Sequence, residues 1–431
     1  MNSSTENIYK LTDHLFRHQS GKMVAVITRI FGLQNIELAE DVVQDAFAQA
    51  LKDWTYKIPD NPAAWLMTAA KNKTVDMIRR EKYRKKFAEE TALLLRSEYT
   101  IAPVIENLFL PNEIKDSQLR MIFACCHPSL SETDKIALVL KTCSGFGIDE
   151  IAAALVSTRE SIKKRIQRAK IFIIENNLQL VIPAGNELTN RLNTVLHSIY
   201  LLFNEGYNSS NKSNLIRKDL CEEALRLALM LTENDYTNQP KSFALVSLMT
   251  LLVSRFESRL DEDGEIILLE DQDRSKWNEE LIKIGCHYLN NSSEGNELTE
   301  YHIEAAIIAE HSLAKNFEAT NWQNILSMYD LLIKINPSPM IMLNRAIVVS
   351  KISGAKAAIA EINSIPGIEK FAQSNYLFAA VLGEMYKLEN NKTTAIRYYE
   401  QAIALPHSEV EKRLIQKKLQ QLINSRPVIN I

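Results

Sequence analysis

Glycine and proline are scarce, twelve of each in 431 residues. Both interrupt helices, so their rarity excludes a loop-dominated chain and points to helices joined by short turns. Cysteine is rarer still: Cys125, Cys126, Cys143, Cys221 and Cys286 form an odd, scattered set. No two are spaced as CxxC, which excludes a zinc ribbon and gives no basis for a disulfide framework. Cys125-Cys126-His127 has metal-binding residue types, but adjacent ligands without a second cluster read as packing residues, and no metal or cofactor is expected. No apolar run reaches the roughly 18 residues of a membrane span, and the polar start MNSSTENIYK lacks the apolar core of a signal peptide. A reducing cytoplasm, with no membrane partner, is the expected location. A large excess of one charge sign is absent too: 50 Lys and Arg stand against 53 Asp and Glu, a net charge of −3. The chain is no polycation, so any nucleic-acid binding must rest on local basic faces.

Helical periodicity dominates what is present. One helix is expected over residues 6–31. A second spans 36–54, with Val43, Ala46, Phe47, Ala50 and Trp54 on a shared face. Pro59 and Pro62 break the pattern, and Pro62 suits the first turn of a helix running from about Ala63 beyond Arg80. Its residues Trp65, Leu66, Ala69, Val75 and Ile78 would face a core. Phe87 to Asp116, with Pro103 and Pro111, reads as a linker containing some helix. A compact helical unit follows to about Asn177, and Val181–Gly185 marks a further boundary. Beyond Glu187 the cations thin out and acidic stretches such as LDEDGEIILLEDQDRSKW begin. MYDLLIKINPS (Met328–Ser338) is echoed by RYYEQAIALPHS (Arg397–Ser408). Asp330 aligns with Glu400 at an offset of 70, two units of 35, close to the period of about 34 in tetratricopeptide (TPR) repeats.

Two segments concentrate positive charge. In Asn61–Lys86, eight cations (Lys71, Lys73, Arg79, Arg80, Lys82, Arg84, Lys85, Lys86) face only Asp76 and Glu81, leaving about +6 locally. In Val156–Ile173, Ser157 and Glu160 have capping-box spacing. Ile162, Ile166, Ala169 and Ile173 form one apolar stripe, and Arg159, Lys163, Lys164, Arg165, Arg168 and Lys170 occupy the remaining surface. The short Ala-rich segment Ile148–Val156 lies just upstream. A short helix, a tight turn and a basic helix together describe a helix-turn-helix, whose second helix reads base edges while cations further along neutralise phosphates.

These motifs bring a family resemblance. Residues 10–175 resemble the extracytoplasmic-function (ECF) sigma factors of bacterial RNA polymerase. Leu38–Phe47 is similar to the region 2 helix that docks on the polymerase clamp. Asn61–Leu66 with Ala70–Arg80 is similar to the promoter-melting helix, and Ile148–Ile173 to the region 4 helix-turn-helix. MIFACCHPSLSETDKIALVLK, IYLLFNEGYNSS and LLEDQDRSKW resemble the subgroup with a long C-terminal TPR-like extension. Gly147 stands where the family often has Ser or Thr, a cap without a side-chain acceptor. The resemblance implies an all-α fold: region 2 over 1–92, a linker over 93–115, region 4 over 116–178 and a TPR-like regulatory extension over 187–431. It implies core-polymerase contacts by Asp41, Gln44, Asp45 and Phe47. It implies contacts to the −10 element by Lys71, Asn72, Lys73, Arg79 and Arg80, with the loop Thr55–Asn61 pocketing a flipped-out base. It implies contacts to the −35 element by Arg159, Ser161, Lys163, Lys164 and Arg168.

The expected partners are core RNA polymerase, promoter DNA and a protein or peptide on the TPR-like groove. The alternative is a stand-alone helix-turn-helix regulator with a peptide-sensing tail, which has no use for a clamp-docking or strand-melting helix. A third reading, a helical enzyme, would draw on Asn204–Tyr207 and Glu270–Arg274. Carboxylates near an arginine are far more often salt-bridged helix ends, so no catalytic residue is assigned.

Overall fold

The computed structural model describes residues 3–80, 98–155, 157–208, 216–405 and 408–424. Glu81, Lys82, Arg84, Lys85 and Lys86 of the first basic segment lie outside the described residues, as does Pro406-His407 of the second repeat motif. The described secondary structure is helical apart from a single antiparallel bridge, Leu260–Ile266. The expected all-α class is therefore observed. The chain forms two compact units, 1–202 and 203–431.

In the first unit, α1 (Ser3–Phe31) packs on α2 (Ile36–Asp53), and α3 (Pro62–Arg79) closes against both. The expected face of α2 is buried: Val43, Ala46, Phe47, Ala50 and Trp54 are all shielded. Asn61 caps α3, its side-chain oxygen accepting from Ala64 N–H at 3.0 Å, with Pro62 in the first turn where no amide donor is needed. The stripe α3 buries is Leu66, Ala70, Thr74 and Ile78, a strict i, i+4 series. Trp65, Ala69 and Val75, expected in the core, are only half-buried. Thr74 fits the buried stripe because its hydroxyl donates to the Ala70 carbonyl at 2.8 Å, so no polar atom is left bare.

The segment read as a linker contributes α4 (Glu98–Leu108) and α5 (Pro111–Cys125), and α5 packs along α1. Next come α6 (Glu132–Thr142), α7 (Ile148–Ala154) and α8 (Arg159–Glu175). The stripe Ile162, Ile166, Ala169 and Ile173 is buried as expected. Each isoleucine so removed from water contributes about 1.5–3 kcal/mol. The cap of α8 differs from expectation. Thr158, not Ser157, accepts from Ser161 N–H at 3.1 Å, and the helix begins at Arg159. At α7 the Glu150 carboxylate accepts from Gly147 N–H at 2.6 Å, so the glycine cap keeps the half of the box that needs no side chain.

Helix α9 (Gly185–Tyr207) begins after the irregular 181–184 segment. The second unit continues with α10 (Lys218–Thr232), α11 (Pro240–Val253), α12 (Glu279–Ser292) and α13 (Glu300–Leu313). Helix α11 is apolar nearly all round and is buried between α10, α12 and α13. Antiparallel neighbours follow: α14 (Trp322–Ile335), α15 (Pro339–Ser353), α16 (Ala355–Ser364), α17 (Ile368–Ser374), α18 (Tyr376–Leu388), α19 (Lys392–Ala404) and α20 (Glu409–Asn424). The repeated motifs fall on α14 and α19, which start at 322 and 392, 70 residues apart. Turns are tight: Gly354 at φ 85° separates α15 from α16, and Asn390 at φ 58° precedes α19.

Candidate DNA and polymerase interface

Two of the expected surfaces meet at one groove. Asp41, Gln44 and Asp45 are exposed together on α2, because Val42, Val43 and Ala46 turn the other way into the core. On α3 the exposed side carries Asn72, Asp76, Arg79 and Arg80, with Lys71 and Lys73 half-exposed. Leu38, Asp41, Val42 and Asp45 from α2 and Lys73, Asp76, Met77 and Arg80 from α3 enclose a groove of about 300 Å³. Lys73 Nζ lies 3.9 Å from the Asp45 carboxylate, Lys71 lies 3.5 Å from Glu106, and Arg79 lies 4.0 Å from Asp76. All three pairs are loose and open to water, so each is worth well under 1 kcal/mol and yields readily to a phosphate.

Phe47 keeps its place on the buried face of α2 and does not reach the surface where the resemblance implies a polymerase contact. It is 4% exposed and sits edge-on to Phe16 with ring centroids 4.9 Å apart. A ring so shielded offers no surface to a partner; it holds α2 on α1 while the acidic side of α2 stays outside. Trp65 is likewise a packing residue, edge-on to the buried Trp54 at 5.6 Å. Sequence reasoning passed over Tyr56. In the turn between α2 and α3 this tyrosine is 93% exposed, an aromatic face offered to solvent. A tyrosine in a short polar loop flanked by a proline break was the signal available.

On α8, Lys163 and Lys164 are exposed and Ser161 is half-exposed. The other expected cations have partners. Arg159 pairs with Asp149 of α7, both open to solvent. Arg168 makes a two-pronged contact to Asp134, Nε at 3.0 Å and Nη2 at 2.5 Å, and Asp134 is only 5% exposed. That fork raises the Arg168 pKa through its hydrogen bonds to Asp134, and it joins α8 to the first turn of α6. Lys170, expected on the surface, is buried and bonds Glu40 at 2.8 Å, with Glu37 at 3.8 Å. The basic surface of α8 is thus narrower than the sequence implies and centres on Lys163 and Lys164.

Cys125 and Cys126 are buried thiols. Cys125 Sγ meets Thr142 Oγ1 at 3.2 Å, and burial pushes Cys126 up to about 12. Among the described residues no group of three or more His, Cys, Asp or Glu is placed to hold a metal ion. Of the residues weighed for catalysis, Glu270 pairs with Lys351 at 3.1 Å, and Arg274 donates to the carbonyls of His311 and Ala314 at the end of α13.

Residues 15–84 match the family model for sigma-70 region 2, which spans α1 to α3 and the groove between α2 and α3. Residues 191–293 match a family of unknown function, DUF6596. A curated protein of Rhizobium meliloti (strain 1021), described as "Uncharacterized protein R00370", is 32% identical over 392 residues, covering 90% of this chain and 91% of its own length. No solved structure matches the chain. A sigma-70 region 2 followed by a DUF6596 domain, with a relative alike over nine-tenths of the chain, places it in the ECF-like sigma factors that carry a C-terminal extension.

Proposed function

We propose that this sigma factor binds core RNA polymerase through Asp41, Gln44 and Asp45 and directs it to promoters through two DNA faces. Its role in transcription initiation rests on the region 2 match. The finer assignment rests on one observation: the exposed carboxylates Asp41 and Asp45 of α2 and the cations Lys73 and Arg80 of α3 border the same groove. The first row suits a protein interface; the second suits phosphates, held loosely enough to be exchanged.

Lys71, Asn72, Lys73, Arg79 and Arg80 would follow the backbone of the −10 element, and Tyr56 would stack an unpaired base. Base–aromatic stacking contributes about 1–3 kcal/mol per base and tolerates any sequence. Lys163, Lys164, Arg159 and Ser161 would meet the −35 element, with α7 and α8 as the helix-turn-helix. The DNA role of Arg168 would come after its place against Asp134. The C-terminal unit would act as a TPR-like regulatory extension that takes a protein or peptide partner, and the chain would have no catalysis of its own. No described helix is long and apolar enough to cross a membrane; the place proposed for the chain, beside cytoplasmic polymerase, rests on the region 2 match.

The test is transcription in vitro: full-length protein added to bacterial core polymerase with a promoter library, and transcript starts sequenced. Defined starts that need the protein support this reading. Tight DNA binding with no initiation in any condition, with or without the C-terminal unit, would replace it with the stand-alone regulator.

A further inference from the structure

Three arginines converge in the second unit with only neutral acceptors. Arg255, 7% exposed after the end of α11, donates from Nη2 to the Tyr207 hydroxyl at 3.1 Å. Arg259 lies over the Tyr207 ring at 3.7 Å and donates to the Tyr207 carbonyl at 2.6 Å and to Asn208 Oδ1 at 2.7 Å. Arg274 donates from Nη1 to the carbonyls of His311 and Ala314, at 2.5 and 2.7 Å. Arg255 and Arg274 both stand over Trp277, at 5.7 and 4.6 Å from its ring centroid. None of the three forms an ion pair among the described residues.

Four buried donor or acceptor atoms in this neighbourhood have no protein partner: Arg255 Nε, Arg274 Nη2, Trp277 Nε1 and His311 Nδ1. Native proteins seldom leave shielded polar atoms bare, and a shielded cation without a counter-charge is costlier still. Burial lowers the pKa of Arg259 and of Arg274, and Arg255 adds to both effects. The three cations therefore repel one another, with Glu318 opposing the effect at Arg274, and none has a carboxylate in ion-pair contact among the described residues.

Arg259 and His311 reach a groove of about 590 Å³ within the same unit. Its walls include Trp322, Tyr329, Val348 and Leu377. That volume suits a small organic molecule. The carboxylates along the groove are already matched: Glu384 by Lys387 and Lys418, Glu270 by Lys351, and Glu411 by Tyr376 and Ser408. Only the arginine end lacks its complement.

We propose that the C-terminal unit holds a small amphipathic anion in this groove. Its carboxylate or phosphate would lie at Arg259, with Arg255 and Arg274 supplying field from behind, and its apolar body would lie against Trp322 and Tyr329. A bidentate anion is the geometry guanidinium groups select. The proposal stands whether or not the promoter and polymerase assignments hold.

The test uses the full chain with phenyl phosphate and 4-phenylbutyrate as probes, read by tryptophan fluorescence and thermal shift against sodium chloride of matched ionic strength. Inorganic phosphate tests the head alone, and benzyl alcohol the body alone. At least one aromatic anion is expected to bind saturably at millimolar concentration, with inorganic phosphate at least about tenfold weaker and benzyl alcohol silent. Saturation by phenyl phosphate but not phenylbutyrate makes the head a phosphate; the reverse makes it a carboxylate. Arg259→Gln should weaken binding at least about tenfold and leave the unliganded melting temperature unchanged or higher, since it removes a charge that repels its neighbours. Should Arg259→Gln fail to fold, Arg259→Lys provides the second variant, with intermediate binding expected. No saturable binding of either aromatic anion, or equal binding by Arg259→Gln, overturns the proposal.

Discussion

Lys170 and Glu40 form an ion pair at 2.8 Å in which both side chains are shielded, 11% and 13% exposed. Lys170 belongs to α8, the second basic helix, and Glu40 to α2, which carries the acidic row. Removing one partner of a shielded pair leaves the other charge stranded. Glu40→Ala should therefore destabilise the protein by about 2 kcal/mol, below the usual range because Glu37 remains nearby. Lys170→Met should cost less, and the double variant should recover part of the loss. A double-mutant cycle by urea unfolding of the full chain checks this; additive single effects would mean the pair carries no coupling.

Arg159 is held by Asp149 in the free protein, with both groups open to water. A phosphate competes with that carboxylate. Asp149→Asn should therefore raise affinity for duplex DNA several-fold at low salt, whereas Lys163→Ala with Lys164→Ala should lower it and flatten its dependence on salt by about two phosphate contacts. Fluorescence anisotropy across a salt series measures both. An Asp149→Asn protein that binds more weakly would remove Arg159 from the DNA face.

Tyr56 tests strand separation apart from duplex binding. Tyr56→Ala should leave binding to closed duplex unchanged and weaken binding to a fragment with an unpaired −10 segment by about 1–3 kcal/mol. Asp41→Ala with Asp45→Ala should do neither and instead weaken capture by core polymerase. Competition assays with the two DNA forms and with core enzyme separate these outcomes.

Acid should destabilise the second unit in two windows. Burial, helped by Arg255 and Arg274, pushes His311 down to about 4. The unfolded chain then takes up protons near pH 6.5 that the folded chain refuses, so stability falls as pH drops from about 6.5 to 4. His311→Gln should remove that component. Burial works to raise the Glu384 pKa, but Lys418, Lys387 and the Tyr399 hydroxyl outweigh it and bring it to about 2. Its contribution of about 2–3 kcal/mol is present above the unfolded value near 4.3 and is lost as pH falls toward 2. Urea midpoints of wild type, His311→Gln and Glu384→Gln between pH 7 and 3 resolve the two windows.

Much of the first unit was legible from periodicity, because a buried stripe such as Ile162, Ile166, Ala169 and Ile173 leaves a mark in one dimension. The caps were legible to within a residue: Ser157 and Thr158 are chemically equivalent acceptors, and only the backbone decides which one faces Ser161 N–H. Exposure was less legible. Lys170 read as a surface cation and Arg168 as one without a fixed partner, since nothing local distinguishes them from Lys163 and Lys164; their partners Glu40 and Asp134 are 130 and 34 residues away. Phe47 was misplaced for a related reason, since an aromatic on an amphipathic helix serves an interface or a core and Phe16 settles which. The arginine cluster was legible only in fragments: Tyr207 and Arg274 stand in motifs the sequence offers, but nothing local joins them to Arg255, Arg259 and His311.

Gly21 lies in α1 where a Cβ would overlap the carbonyl oxygen of Cys143, and Gly145, at φ 67°, is pressed as closely on Ser20. Arg17, one turn before Gly21, lies 3.7 Å over Phe146 and pairs with Glu150. The seam between α1 and the chain leaving α6 thus has no slack, less than the width of a methyl group. Well-packed seams rearrange between discrete states and do not stretch, since partial separation forfeits contact without admitting water. This one behaves as a latch and not as a spring: whatever parts the two basic helices must release it in a single step. A lone methyl at position 21 would be a wedge for forcing it open without touching any charge.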